Sequence, residues 1–105
     1  MAQFDIYANR NPETCQTIPY LLDVQADFLG HLATRVVVPL YSSDAFGKTA
    51  THLNPSFPVQ QTTVVVMSTA ELAGVAIAHL GDNVGSLKEY RQEIIAALDF
   101  LFTGF

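Results

Sequence analysis

Near its start the chain alternates apolar and polar residues with a period of two. In QFDIYA, residues 3–8, Phe4 and Ile6 stand against Gln3, Asp5 and Tyr7, the pattern of a half-buried strand. The following NRNPET is rich in residues that bond locally or fix φ, which marks a turn. PYLLDVQAD, residues 19–27, then resumes the alternation with Tyr20, Leu22 and Val24 on one side, so the two segments are expected to pair as a hairpin. After Gly30, TRVVVPL is β-branched and apolar as far as Pro39, which has no N–H for a ladder and suits an edge, a bulge or the strand's end. YSSDAFGKTATHLNP, residues 41–55, is polar and reads as loop with at most one helical turn. TTVVVMS, residues 62–68, predicts a central strand, its consecutive valines fitting burial on both faces. A turn or short helical segment around TAELAG leads to VAIAHLG, where Val75, Ile77 and Leu80 fit another strand, ended by Gly81.

From Ser86 the period changes. Ser86 with Glu89 three residues on has capping-box spacing, and a helix is predicted to begin there. At 100° per residue, Leu87, Tyr90, Ile94, Ala97, Leu98 and Leu101 share one sector, which should pack on the sheet. Phe102 lies on its margin, Ala96, Asp99 and Thr103 face away, and Phe100 is well off the stripe. One helix thus carries more aromatic surface than a single sheet face can cover. Gly104 suits the C-terminal cap. The residues alone therefore predict one domain over 1–105: an antiparallel sheet or small barrel completed by a C-terminal helix.

Composition narrows the function classes. At 105 residues one real core is possible, with roughly two thirds of the unfolded surface removed on folding. Half the residues are hydrophobic and only 14% charged, an apolar excess that predicts a shared interface. No run reaches the roughly 18 apolar residues of a membrane span, and MAQFDIYANRN has neither a basic region nor a long apolar segment, so a cytoplasmic protein without membrane contact is expected. The single cysteine, Cys15, is read as a spectator thiol. A net charge of −5 opposes phosphate binding, and direct nucleic-acid contact is not expected.

Candidate chemistry is sparse. His31, His52 and His79 lack the spacing that puts two ligands on one helix face, so no metal is expected, and no cofactor either, since the glycines are dispersed and form no phosphate loop. Ser42, His52 and Asp44 could be combined as a triad on paper, but no nucleophile-elbow motif supports it. Asp23 and Asp27, if both on one strand, would lie about 13 Å apart, too far to share a proton, and read as solvated charges.

Taken in order, DVQAD followed by FL, then TRVVVPL, then LNPSFPV before a valine-rich strand, then ELAGVAIAHLG and a helix ending in FLFTGF resemble the CcdB family of toxins. The likeness spans essentially the whole chain, and its most specific parts are QFDIY, YLLDVQAD with RVVVPL after it, and the short stretch beyond the glycine-capped helix. It implies a small SH3-like β-barrel with a C-terminal helix, a homodimer, and no enzymatic activity. It implies binding to the A subunit of DNA gyrase, trapping of the complex in which gyrase is attached to cleaved DNA, and removal by a cognate CcdA-like antitoxin with a disordered C-terminal segment, as in plasmid or chromosomal maintenance pairs. The family's target-contacting positions fall on Asp99, Phe102, Thr103, Gly104 and Phe105, with Phe28 and Leu29 as a second patch. In such a dimer Phe105 would meet its own copy. Well-known members carry Trp immediately before the terminal Gly, where this chain has Thr103, and often a neutral amide at the position of Asp99; a tryptophan can stack on a cation of the target and threonine cannot. Two other readings compete. An endoribonuclease toxin of the same architecture needs an acid–base pair and a basic groove, whereas Arg10, Arg35, Lys48, Lys88 and Arg91 are spread along the chain. A decayed family member would bind only its antitoxin.

Overall fold

The computed structural model describes residues 1–61 and 63–104. Seven strands, β1 (Asp5–Asn9), β2 (Tyr20–Asp23), β3 (Thr34–Ser42), β4 (Ser56–Val59), β5 (Thr63–Met67), β6 (Ala73–Ala76) and β7 (Leu80–Ser86), precede one helix, α1 (Arg91–Thr103). The strands form a single antiparallel sheet in the order β4-β5-β3-β2-β1-β7, with β6 on the first half of β3. The sheet curls into a half-barrel and α1 lies across its concave side, which is the mainly β architecture with a C-terminal helix that the sequence predicts.

Alternation sets the core. Residues spaced by two on four strands, Ile6, Leu22, Val38 with Leu40, and Val65 with Met67, point to one face, where they meet Phe57 and Val59 of β4 and Ile94 and Ala97 of α1. The register is consistent with this, since Ile6 stands opposite Leu22, Leu22 opposite Val38 and Leu40 opposite Met67. The helix stripe faces the sheet as expected, with Leu87, Ile94 and Ala97 buried and Tyr90 and Leu98 half-buried against the same cluster. The convex face carries a smaller cluster of Tyr7, Val37 and Leu80, with Leu21 and Val75 packed on it.

Several local expectations are corrected. β1 starts at Asp5, because Phe4 adopts a left-handed backbone (φ 73°) that drops its ring into the core while its N–H bonds the Asp23 carbonyl. Pro39 is neither an edge residue nor a strand end: β3 runs through it to Ser42, and it falls where β3 changes partner from β6, paired as far as Val37, to β5, paired from Leu40. A ladder N–H is not needed at that seam. In β5, Val65 and Val66 are buried but Val64 is half exposed to solvent, so the strand is not buried throughout on both faces; the expected first residue, Thr62, lies outside the described residues. VAIAHLG is not one strand. It divides into the end of β6, a helical turn over Ile77–His79 and the start of β7, which Gly81 does not end. Gly81 is required inside β7 because a Cβ there would stand 2.6 Å from the Ala8 carbonyl of β1. Ser86 belongs to β7. Its hydroxyl accepts the Lys88 N–H at 3.1 Å, a helical turn follows over Lys88–Tyr90, and α1 begins only at Arg91.

Candidate functional site

The first candidate surface is the connection between β2 and β3. Every residue from Ala26 to Thr34 is exposed, and within it a helical turn, Asp27–Leu29, lifts Phe28 until 90% of its side chain meets solvent. Leu29 and Leu32 are exposed beside it, and Ile77, whose N–H bonds the Ala33 carbonyl, adds a further apolar side chain alongside. None of these side chains is held by a core.

Beneath the turn lies a buried ionic pair. Asp23 on β2 and Arg35 on β3 are diagonal neighbours across the ladder, with 0% and 1% of their side chains exposed; Nη2 and Nε of Arg35 approach Asp23 Oδ2 at 2.7 and 2.8 Å. Asp23 Oδ1 accepts the Gln25 N–H at 3.0 Å. Burial pushes the Asp23 carboxyl above its ordinary range, opposed by the bonds from Arg35 and Gln25. Asp23 is therefore not a solvated charge. Asp27 is exposed, yet it is also engaged, accepting the Gln3 N–H at 2.6 Å. Gln25, almost fully buried, donates Nε2–H to the Leu29 carbonyl at 2.8 Å and accepts the Val36 N–H on Oε1 at 3.0 Å. The sequence held one signal for this network: Asp23 and Arg35 occupy the strand phase of Leu21 and Val37, so two opposite charges share the face turned away from the main core, one on each of two paired strands.

The second surface is the tip of α1. Phe102 is 71% exposed, so it is not a core residue, and Asp99, Thr103 and Gly104 are exposed with it. Thr103 Oγ1–H donates to the Asp99 carbonyl at 2.7 Å, and Gly104 closes the helix in the left-handed conformation (φ 78°), its N–H bonding the Phe100 carbonyl at 2.9 Å. Phe100, off the sheet-facing stripe, is half-buried against His52 of the long β3–β4 connection, their ring centroids 6.0 Å apart. That contact covers one of the aromatics the stripe leaves over. The expectations for Phe105, as target contact and dimer residue, lie outside the described residues. The structure places Asp99, Phe102, Thr103 and Gly104 together on one turn and Phe28 with Leu29 on another element; among the described residues no hydrogen bond or ring contact joins the two.

Elsewhere, an open groove of about 460 Å³ on the convex face is lined by Arg10, Leu21, Val75 and His79 among others. Nearby, Tyr7 donates to Asp5 Oδ2, and burial, reinforced by the charges of Asp5 and Asp23, pushes the phenol up to about 12. Among the described residues no three His, Cys, Asp or Glu side chains group as a metal site, and no hydrogen bond links Ser42, Asp44 and His52. No described helix is long and apolar enough to cross a membrane.

Two comparisons with known proteins give matches. The family model described as CcdB protein matches residues 3–104. Among solved structures, a chain described as an endoribonuclease in complex with its cognate antitoxin from Mycobacterial species superposes with a TM-score of 0.78 at 15% identity, covering 97% of this chain and 94% of that one. At that identity the likeness is one of fold. A comparison with curated protein sequences gives no match.

Proposed function

The chain belongs to the CcdB family of toxin–antitoxin toxins, and from that premise we propose that it binds the A subunit of DNA gyrase, traps the cleaved gyrase–DNA complex, and is released by a cognate CcdA-like antitoxin. The observation that carries the reading is the pair of solvent-facing aromatics, Phe28 and Phe102, each raised on an ordered turn. Exposed aromatics on rigid elements have the character of docking anchors, because they bury much area on binding and lose little conformational freedom. They coincide with two positions that the family likeness assigns to the target. Thr103 supplies no ring, so Phe102 is the aromatic anchor of the tip. Asp99, exposed one turn away, offers a carboxylate to a cation of the target.

The protein acts by binding, as a homodimer in the cytoplasm, with no cofactor and no direct contact with nucleic acid. Sedimentation at micromolar concentration tests the dimer; a stable monomer refutes it. The gyrase reading is tested by titrating the intact chain into the purified gyrase subunit. Binding that is lost in Phe28→Ala and in Phe102→Ala is expected, together with loss of growth inhibition when Gly104 and Phe105 are deleted. Failure to bind gyrase while the antitoxin still binds would leave the decayed-member reading. The endoribonuclease reading draws on the name of the structural relative and on the groove with Arg10 and His79. RNA cleavage abolished by His79→Ala would favour it.

A further inference from the structure

We propose that Gln25, seated on the buried Asp23–Arg35 pair, is a positioning residue that fixes the Phe28 turn in the conformation it presents to a partner. What the turn presents itself to rests on the gyrase reading above; how it is held does not. The turn is a run of exposed residues, so burial of its own apolar side chains does not hold it. Its internal bonds, Leu29 N–H to Ala26, Gly30 N–H to Asp27 and Leu32 N–H to Leu29, shape it locally without tying it to the sheet. The Ile77 N–H holds the far end of the run through the Ala33 carbonyl, and among the described residues the tie on the Asp27–Leu29 turn itself comes from two glutamines. The Gln3 N–H grips the Asp27 carboxylate at its start, and the Gln25 amide spans from the Val36 N–H on β3 to the Leu29 carbonyl at its centre.

The amide suits that task because it is donor and acceptor at once. Gln25 is itself clamped below: its N–H bonds Asp23 Oδ1, and its carbonyl receives Arg35 Nη2 at 3.4 Å. The guanidinium also lies under the turn, since a Cβ on Gly30 would stand 3.7 Å from Arg35 Nη1. The ionic pair is thus a floor, Gln25 a post, and Phe28 the part held up. A buried pair contributes little net stability compared with apolar packing, and a role in fixing one conformation accounts for its presence at the root of an exposed turn.

Gln25→Glu separates the two ends of the post. It keeps an oxygen for the Val36 N–H and turns a carboxylate oxygen against the Leu29 carbonyl. Gln25→Leu removes both bonds and adds no charge. Amide hydrogen exchange on the intact protein is read on the same samples as titration into the gyrase subunit. Loss of one such bond corresponds to about tenfold faster exchange at Gly30 and Leu32, with the β1–β2–β3 amides unchanged, and about tenfold weaker binding. A merely structural role would accelerate exchange across the whole sheet and leave the affinity of the folded fraction unchanged, and either result overturns the proposal. Unchanged exchange at Gly30 and Leu32 in both variants also overturns it. If neither variant folds, wild type decides: Gly30 and Leu32 amides exchanging as fast as free chain would show that nothing holds the turn, and protected ones support the tether. A wild-type protein that does not bind the gyrase subunit refutes the gyrase reading and leaves the exchange result to judge the tether.

Discussion

Replacing Arg35 with leucine removes one half of a pair that has almost no access to water, with 1% and 0% of the two side chains exposed. The Asp23 carboxylate would keep the Gln25 N–H but lose both guanidinium bonds, leaving a buried charge uncompensated. Such losses cost about 3–5 kcal/mol, a large share of the roughly 5–15 kcal/mol that holds a domain of this size together. Replacing both partners, Asp23→Leu with Arg35→Leu, removes the charges altogether and should lie close to wild type, or above it by up to about 4 kcal/mol. Urea unfolding of wild type, both singles and the double closes the cycle. Acidity adds an independent check. The Asp23 carboxyl is raised in the folded protein by burial, and Arg35→Leu removes the largest influence that opposes the rise. A carboxyl with a raised folded value takes its proton more readily folded than unfolded. Its contribution favours folding below the ordinary aspartate range and is lost as pH rises through the folded value. The deficit of Arg35→Leu should therefore shrink as the buffer is acidified from neutral. A single variant within about 0.5 kcal/mol of wild type, as for a surface substitution, would refute the account of a buried floor.

Phe28→Ala and Phe102→Ala, at 90% and 71% exposure, should each change stability by no more than about 0.5 kcal/mol in urea while weakening binding to the gyrase subunit by at least about 2 kcal/mol, as hot-spot residues do. Thr103→Trp adds a stacking surface on the exposed side of α1 and should tighten that binding in calorimetry with no change in unfolding midpoint. Burial pushes the Tyr7 phenol up to about 12, so the contribution of its neutral form is complete below the ordinary tyrosine value and lost as pH climbs toward about 12. Absorbance titration of phenolate should show two late-ionising tyrosines, Tyr41, held up by its bond to Glu71, and Tyr7, of which only the Tyr7 step is missing in Tyr7→Phe, whose stability should fall less steeply through that alkaline range.

The hairpin of β1 and β2 and the stripe of α1 were legible in the sequence because alternation marks the face turned to the core, and the strand through Val36–Val38 because a β-branched run suits extended backbone buried on both faces, Val37 in one cluster and Val38 in the other. β4 was not. Its alternation, Phe57 and Val59 in and Ser56 and Pro58 out, is four residues long and carries a proline, too little to separate from loop. β7, LGDNVGS, was cut short at Gly81 because its glycines, Asp82 and Asn83 write no apolar alternation; it extends because β1 offers an edge, and Gly81 permits the close approach. At the candidate surface the family likeness supplied the residues that point outward, whereas the residues beneath them escaped. Asp23 looked like any solvated acid because charge in a strand is read outward unless its partner is known, and the partner lies twelve positions along the chain.

The topology also bears on when this protein becomes itself during synthesis. β1 is made first among the elements, but its second neighbour, β7, is made after all the other strands, and Leu87, which bonds back to the Phe4 carbonyl, follows directly. Until α1 emerges, Phe4, Leu22, Leu40 and Met67 lack the cover of Ile94 and Ala97. A nascent chain halted before that point would expose an unfinished half-barrel and carry no Phe102, so its fate is capture by chaperones or degradation. On the proposed reading, target contact would thus be withheld until α1 has been made, since the segment that closes the core also bears the exposed tip.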